Sequence, residues 1–380
     1  MHHQFFRSKG FWIAVCVVLT ATVAFYPVWM TWGPKNAVSA PRTSQPHNAG
    51  EQATATVSAT AGTTKNLPRT VELGTAVRVS PLLAEAPYQD TLLSHFTSVT
   101  PENALDFNYT EPRPGVYVLT APDTIVAFAH THNLSVFGNG LVWFQAVPNW
   151  LKNGGYTRAQ VIAILRSHIF TVVSHYRGLI TSWDVVDEAL SSDGSGLRDS
   201  FWLQAIGPDY IAMAFQWAHE ADPDASLYYN EYGIETPGKK FDALYALVTS
   251  FIKQGVPISG VGFQMHEDLA FGRPSIKGVA TNFARISALG LKVRITEMDV
   301  RSVMGSNLQA KLAEQASLYG AMATLCMQTR ACVAFTVWGL TDKYTWIDAL
   351  LHRQDNPLLF DTNYRPKPAF YAVRDALKTP

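Results

Sequence analysis

The chain has 380 residues, and its 30 Lys+Arg balance 30 Asp+Glu to a formal net charge of zero. Nucleic-acid binding rests on phosphate neutralisation, so this balance argues against a nucleic-acid partner. A content of 47% hydrophobic and 12% aromatic residues excludes a disordered or collagen-like chain for the bulk of the sequence. With only 16% charged residues, the surface must lean on neutral polar and aromatic groups.

Residues 1–34 read as an export element. Arg7 and Lys9 precede an uncharged stretch from Gly10 to Pro34, whose apolar centre runs from Phe11 to Met30. A cleavable signal has an apolar region of roughly 7–15 residues and a spanning helix needs about 20; this run has twenty. Trp12, Tyr26, Trp29 and Trp32 lie near its two ends, as interfacial aromatics do. The nearest cleavage-like site, VSA before Pro41, is spoiled by that proline. The length therefore favours an uncleaved membrane anchor over a cleaved signal, with the folded part outside the cytoplasm. Residues 35–68, rich in Ala, Thr, Ser and Asn, carry too little apolar surface to offset ordering entropy and read as a flexible tether. Cys16 falls inside the apolar run, while Cys326 and Cys332 are six apart before a strand-like run. For an exported domain these two read either as a local disulfide or as two free buried thiols.

Over residues 69–380, short β-branched or aromatic runs alternate with longer helical patterns. The strand candidates are 71–79, 95–103, 134–143, 181–189, 226–233, 259–266, 292–300 and 333–340. Each gap has room for a helix; 159–176 carries apolar residues at helical spacing. Eight strands alternating with helices predict a closed parallel (β/α)8 TIM barrel. Several runs end in polar residues, namely Glu102 and Asn103, Asn139, Asp187 and Glu188, Asn230 and Glu231, Gln264 and His266, and Glu297 and Asp299. Such strand ends form the active-site face of this fold.

Glu188, closing SWDVVDEAL, and Glu297, in VRITEMDV, each follow an apolar run that carries them to a strand's C-terminal end. Two carboxyl groups so placed suit glycosidic cleavage, in which one protonates the leaving oxygen and the other faces the anomeric carbon. Asp299 is expected to orient a neighbour. Asp342 and Lys343 either border the cleft or form a surface ion pair. No phosphate loop, metal-ligand cluster or hydride-cofactor fingerprint occurs, and no cofactor is expected.

Several motifs together resemble glycoside hydrolase family 10, the retaining endo-β-1,4-xylanases. VTPENALDF (99–107) looks like the family's second-strand motif, GNGLVWFQAVPNW (138–150) its third and WDVVDEAL its fourth. LYYNEYGIE (227–235), GVGFQMH (260–266) and ITEMDV (295–300) resemble the fifth to seventh. FTVWGLTDKYTW (335–346) and LLFDTNYRPKPAFYAV (358–373) resemble the eighth strand and the start of the last helix. The resemblance implies Glu188 as general acid/base and Glu297 as nucleophile. It implies sugar contacts from Glu102, Asn103, Trp143, Tyr232, Gln264, His266, Trp338 and Trp346. Cys326 and Cys332 sit where some members carry a disulfide.

The glycone pocket departs from that pattern. Asp106 stands where the family has lysine, Asn139 where it has histidine, Asp187 where it has asparagine and Phe144 where it has a further histidine. The resemblance implies that the family's asparagine donates to the 2-hydroxyl of the sugar under attack, which an ionised Asp187 cannot do. Asp106, Asp187, Glu188 and Glu297 crowded together cannot all ionise cheaply, so a proton is shared or a cation enters. The expected activity is that of a retaining endo-acting β-glycoside hydrolase with a monomeric catalytic domain. Its substrate is xylan or an exported polysaccharide of a different sugar, with uronic acids disfavoured at the glycone site. The alternatives are a tethered, non-catalytic polysaccharide-binding protein and a transglycosylase on the same fold.

Overall fold

The computed structural model describes residues 70–301, 307–352 and 354–378. The anchor and tether expected over residues 1–68 lie outside these. Among the described residues no helix is long and apolar enough to cross a membrane. The strands are β1 (Glu72–Val77), β2 (Ser98–Pro101), β3 (Ser135–Gly138), β4 (Val142–Trp143) and β5 (Ser182–Asp187). They continue with β6 (Ser226–Glu231), β7 (Gly260–Phe263), β8 (His266–Asp268), β9 (Lys292–Arg301) and β10 (Cys332–Val337). Pairing runs β1–β2–β3–β5–β6–β7–β9–β10 and closes from β10 back onto β1, parallel throughout. All eight sequence-predicted strands are present; most are shorter than expected, while 292–300 extends by one residue to Arg301 and 333–340 begins one residue earlier, at Cys332.

Long helices follow the barrel strands and cover them, among them Thr120–Thr131, Arg158–His175, Tyr210–Ala221, Lys239–Gln254 and Leu308–Gln328. Arg158–His175 starts at a capping box in which Thr157 and Gln160 satisfy each other's backbone N–H groups. It turns Val161, Leu165, Ile169, Val172 and Val173 to the sheet, so the 3.6-residue period of the sequence becomes its buried face.

Two of the apolar runs are broken. The run 134–143 divides into β3 and β4, and the chain beyond β7 turns before β8. At the first break Gly140 has φ +79°, and a Cβ there would lie 2.6 Å from Asp106 Oδ1. Only glycine allows that loop to close over Asp106. At the second, Met265 takes φ +62° just before His266. β4 and β8 then rejoin the sheet one layer higher, pairing with β5 and β9. Both breaks aim polar side chains into the mouth of the barrel.

Cys326 and Cys332 form a disulfide with a Cα–Cα distance of 5.2 Å, joining the end of Leu308–Gln328 to the first residue of β10. Asp342 and Lys343 neither pair with each other nor share a role. Asp342 is buried against Lys367 Nζ at 2.8 Å and the Leu358 N–H at 2.8 Å, while Lys343 reaches Glu85 at 2.8 Å. The sequence could not separate them, because their partners lie far away in the chain.

Candidate active site

Glu188 follows the last residue of β5 and holds φ +55°, a left-handed conformation unusual outside glycine. Its backbone is clamped on both sides. Its N–H donates to the Asn230 carbonyl at 3.0 Å, and its own carbonyl accepts from Arg198 Nε at 2.8 Å. The turn sets the carboxyl against Gln264, whose Nε2 donates to Glu188 Oε1 at 3.2 Å and to Asp187 Oδ1 at 3.0 Å. Burial, reinforced by the charges of Glu231 and Glu297, pushes Glu188 up to about 7. A carboxyl group held there carries a proton to give at near-neutral pH.

Glu297, in the middle of β9, has the opposite surroundings. Asn230 Nδ2 donates to its Oε1 at 2.6 Å, and His266 Nε2 lies 3.2 Å from its Oε2. The Thr296 hydroxyl donates to Asn230 Oδ1 at 2.7 Å, which turns the amide so that its NH2 faces Glu297. Gly262 makes room for this: a Cβ there would meet Asn230 Oδ1 at 2.3 Å. His266 Nδ1 lies 2.9 Å from Asp299 Oδ2, which also accepts from Trp346 Nε1 at 2.8 Å. Burial opposes charge on His266, but Asp299 and Glu297 outweigh it and raise the imidazole well above its usual value. Both ring N–H groups then donate, one to each carboxylate. Two N–H donors thus fix the Glu297 carboxyl, one on each oxygen.

The remaining sequence-predicted residues surround this pair. Asp187 and Asp106 are buried, at 7% and 4% exposure, and each is pushed well above the usual carboxylate range. For Asp187 the causes are burial and then Asp184, Glu188, Glu297 and Glu231; for Asp106 they are burial and then Glu297 and Glu102. Asn139 donates to the Glu102 carbonyl at 3.4 Å, and its buried Oδ1 has no partner among the described residues. Both carboxylate oxygens of Glu102 are taken by Arg78, at 2.5 and 2.7 Å. Arg78, Glu102 and the exposed Asn103 border a cavity of about 350 Å³ that Tyr109 and Val118 also line. Trp143 and Trp346 are half-buried, whereas Trp338 keeps only 9% exposure. Tyr232 lies on the Glu188 side, where its hydroxyl accepts from Arg198 Nη2 at 2.9 Å.

Four contributors were not singled out as site residues from the sequence. Asn230 and Glu231 stood among the polar strand ends without a role. Glu231, paired with Lys240 at 2.6 Å, is the neighbouring charge that most lifts Glu188. Arg198 stacks on Phe144 at 4.3 Å while holding the Glu188 turn. Asp184 looked like an ordinary position inside β5, yet it is fully buried and raises Asp187. Only the strand-end position of Asn230 and Glu231 was a usable signal.

The model of the family "Glycosyl hydrolase family 10" matches residues 64–376 of this chain. "Endo-1,4-beta-xylanase B" of Thermotoga neapolitana is 37% identical over 291 residues, covering 77% of this chain and 83% of the relative. "Beta-1,4-xylanase" of Dictyoglomus thermophilum is 39% identical over 298 residues, covering 75% and 83%. Native xylanase 10B from Thermotoga maritima superposes with a TM-score of 0.78 at 36% identity, covering 81% of this chain and 95% of that one. Xylanase 10B from Thermotoga petrophila RKU-1, solved in complex with xylobiose, superposes with a TM-score of 0.78 at 35% identity, covering 83% and 99%. With its fold, its paired glutamates and these relatives in agreement, the chain belongs to glycosyl hydrolase family 10 and is a glycoside hydrolase of the endo-xylanase-like kind.

Proposed function

We propose that the chain cleaves β-1,4-linked xylan-type polysaccharide within the chain, with retention of anomeric configuration, and that its glycone pocket accepts neutral sugars and rejects uronates. The observation that carries this is the contrast between the two glutamates. Glu188 is held in its acid form up to about 7, while Glu297 receives N–H donors on both oxygens. In the first step a Glu297 oxygen attacks the anomeric carbon as the bond to the leaving sugar breaks, and Glu188 gives its proton to the departing oxygen. In the second, water attacks that carbon, Glu188 takes a water proton, and the ester bond to Glu297 breaks. The names of the relatives support xylan as substrate. The exclusion of uronates rests on the acidic cluster of Asp106, Asp187, Glu188 and Glu297, to which a sugar carboxylate would add one more buried negative charge. The test is to follow the anomer of products released by the full chain from neutral and from glucuronate-bearing xylo-oligosaccharides by NMR. β-Anomer first, with neutral chains favoured, is expected; α-anomer first, or a preference for uronate at the glycone site, overturns the reading.

A polysaccharide of a different sugar is the second reading, favoured by the same carboxyls, which would suit an amine at the 2-position; faster cleavage of such a chain than of xylan would establish it. We also place the barrel outside the cytoplasm, tethered through residues 11–30, on the length and aromatic flanks of that segment. Carbonate-resistant sedimentation with membranes is expected; a soluble product lacking residues 1–34 overturns the tether.

A further inference from the structure

We infer that Asp187 works as a neutral acid: it keeps its proton and donates it in a hydrogen bond to the 2-hydroxyl of the sugar under attack, as an amide side chain would. The inference deepens the proposed reaction and rests on it.

The geometry gives Asp187 no cationic partner that would stabilise a negative charge. Its strand neighbours Asp184 and Glu188 are acidic, and Glu231 faces it from β6 and Glu297 from β9. Across the sheet it registers with Trp143 on β4 and Asn230 on β6, both neutral. Gln264 is the described side chain that donates to it, at Oδ1, and the same NH2 group also serves Glu188. The nearby cations are engaged with other acids or with backbone. Arg78 holds Glu102, Lys240 holds Glu231, and Arg198 holds the Glu188 carbonyl and Tyr232. His266 lies between Glu297 and Asp299. Among the described residues no ion pair reaches Asp187 or Asp106, and a buried carboxylate without one is expensive.

A protonated carboxyl has one O–H donor and an acceptor oxygen, the same pair of functions that an amide presents. With Oδ1 accepting from Gln264, the O–H falls on Oδ2, which no described side chain occupies. Hydrogen bonds to the 2-hydroxyl strengthen at the oxocarbenium-like transition state. A proton on Asp187 therefore supports the rate, and its loss both removes the donor and adds a negative charge beside Glu297. Glu188 must also be protonated for the first step, so two protons govern the alkaline side.

The experiment is a pH profile of kcat/KM for the full chain, for Asp187→Asn and for Asp187→Ala, with carboxyl-13C-aspartate NMR of the same proteins. Wild type is expected to fall on the alkaline side with a limiting slope approaching two protons. In Asp187→Asn the slope becomes that of one proton, and its activity overtakes wild type by about tenfold or more above the Glu188 transition. Asp187→Ala, lacking the donor, falls about 100-fold or more at every pH. The resonance lost in Asp187→Asn should show a protonated carboxyl at pH 6. An Asp187 resonance that ionises below pH 5 overturns the inference, as does an alkaline limb unaltered in Asp187→Asn. If wild type cleaves nothing at any pH, the proposed reaction fails, and the NMR titration still decides the state of Asp187.

Discussion

At the N-terminal end of the barrel, Arg294 from β9 lies buried with its guanidinium 4.5 Å from the Phe137 ring and 5.5 Å from that of Tyr228, and it pairs with Glu72 at 3.0 Å. At the C-terminal end, Asp106, Asp184, Asp187, Glu188 and Glu297 converge; His266 serves Glu297, and among the described residues no ion pair reaches the other four. One end balances its charge locally between two residues; the other leaves acidic groups facing one another. The same strands supply both ends, so the difference lies in which residues were placed there. It also has a cost. A buried pair with partners can be close to neutral for stability, whereas like charges without partners oppose folding unless they take up protons. The C-terminal end accepts that opposition because an acid that retains its proton is what the chemistry requires.

Breaking the acidic end should have the largest effect. Glu297→Gln removes the nucleophile and should lower kcat by about 10⁴-fold or more, while the folded protein becomes no less stable because a negative charge has left the cluster. Glu188→Gln should lower kcat by roughly 10²–10⁴-fold on xylan-type chains and by much less on aryl glycosides, whose leaving groups need no proton. Steady-state kinetics on both substrate types, with a thermal melt of each variant, checks the pair. Equal losses on both substrates for Glu188→Gln would remove its role as acid.

Stability against pH separates the two ends further. Glu188 is raised on folding from 4.5 to about 7, so the folded state binds its proton more tightly than the unfolded chain. Its contribution is fully present below about pH 4.5 and is lost as pH rises through 7, about 3 kcal/mol in all. Asp187 and Asp106, raised in the same direction, add to the loss. Denaturant titrations at pH 5 and pH 8 should therefore find the protein less stable at pH 8, and a flat or opposite trend would contradict the carboxyl cluster. Arg294→Met, at the quiet end, should cost a smaller amount, about 2 kcal/mol. That cost should be the same at both pH values, in contrast to the loss at the carboxyl cluster.

Much of the fold and part of the site are legible in the amino-acid sequence. The eight strands announce themselves because β-branched and aromatic runs between helical patterns report local backbone preference and burial, which neighbouring residues alone determine. Their polar last residues mark the mouth, and the pair Glu188 and Glu297 follows. The breaks after β3 and β7 were not legible, since LSVFGNGLVW and SGVGFQMH read as continuous runs. Their turns depend on how close Asp106 comes to Gly140 and on the φ of Met265. Arg198 was equally hidden, because its roles are to clamp a backbone carbonyl ten residues away and to stack on Phe144.

What the amino-acid order determined by itself was the alternation of elements, the barrel they close, and which carboxyl groups reach its rim. These follow from short-range periodicity, which acts along the chain. What the tertiary structure decided was the state of those groups: Glu188 kept as an acid by burial among Glu231 and Glu297, Glu297 held by Asn230 and His266, and Asp187 left without a cation. Ionisation depends on burial and on the charges within a few ångströms, and those neighbours come from strands up to more than a hundred residues apart.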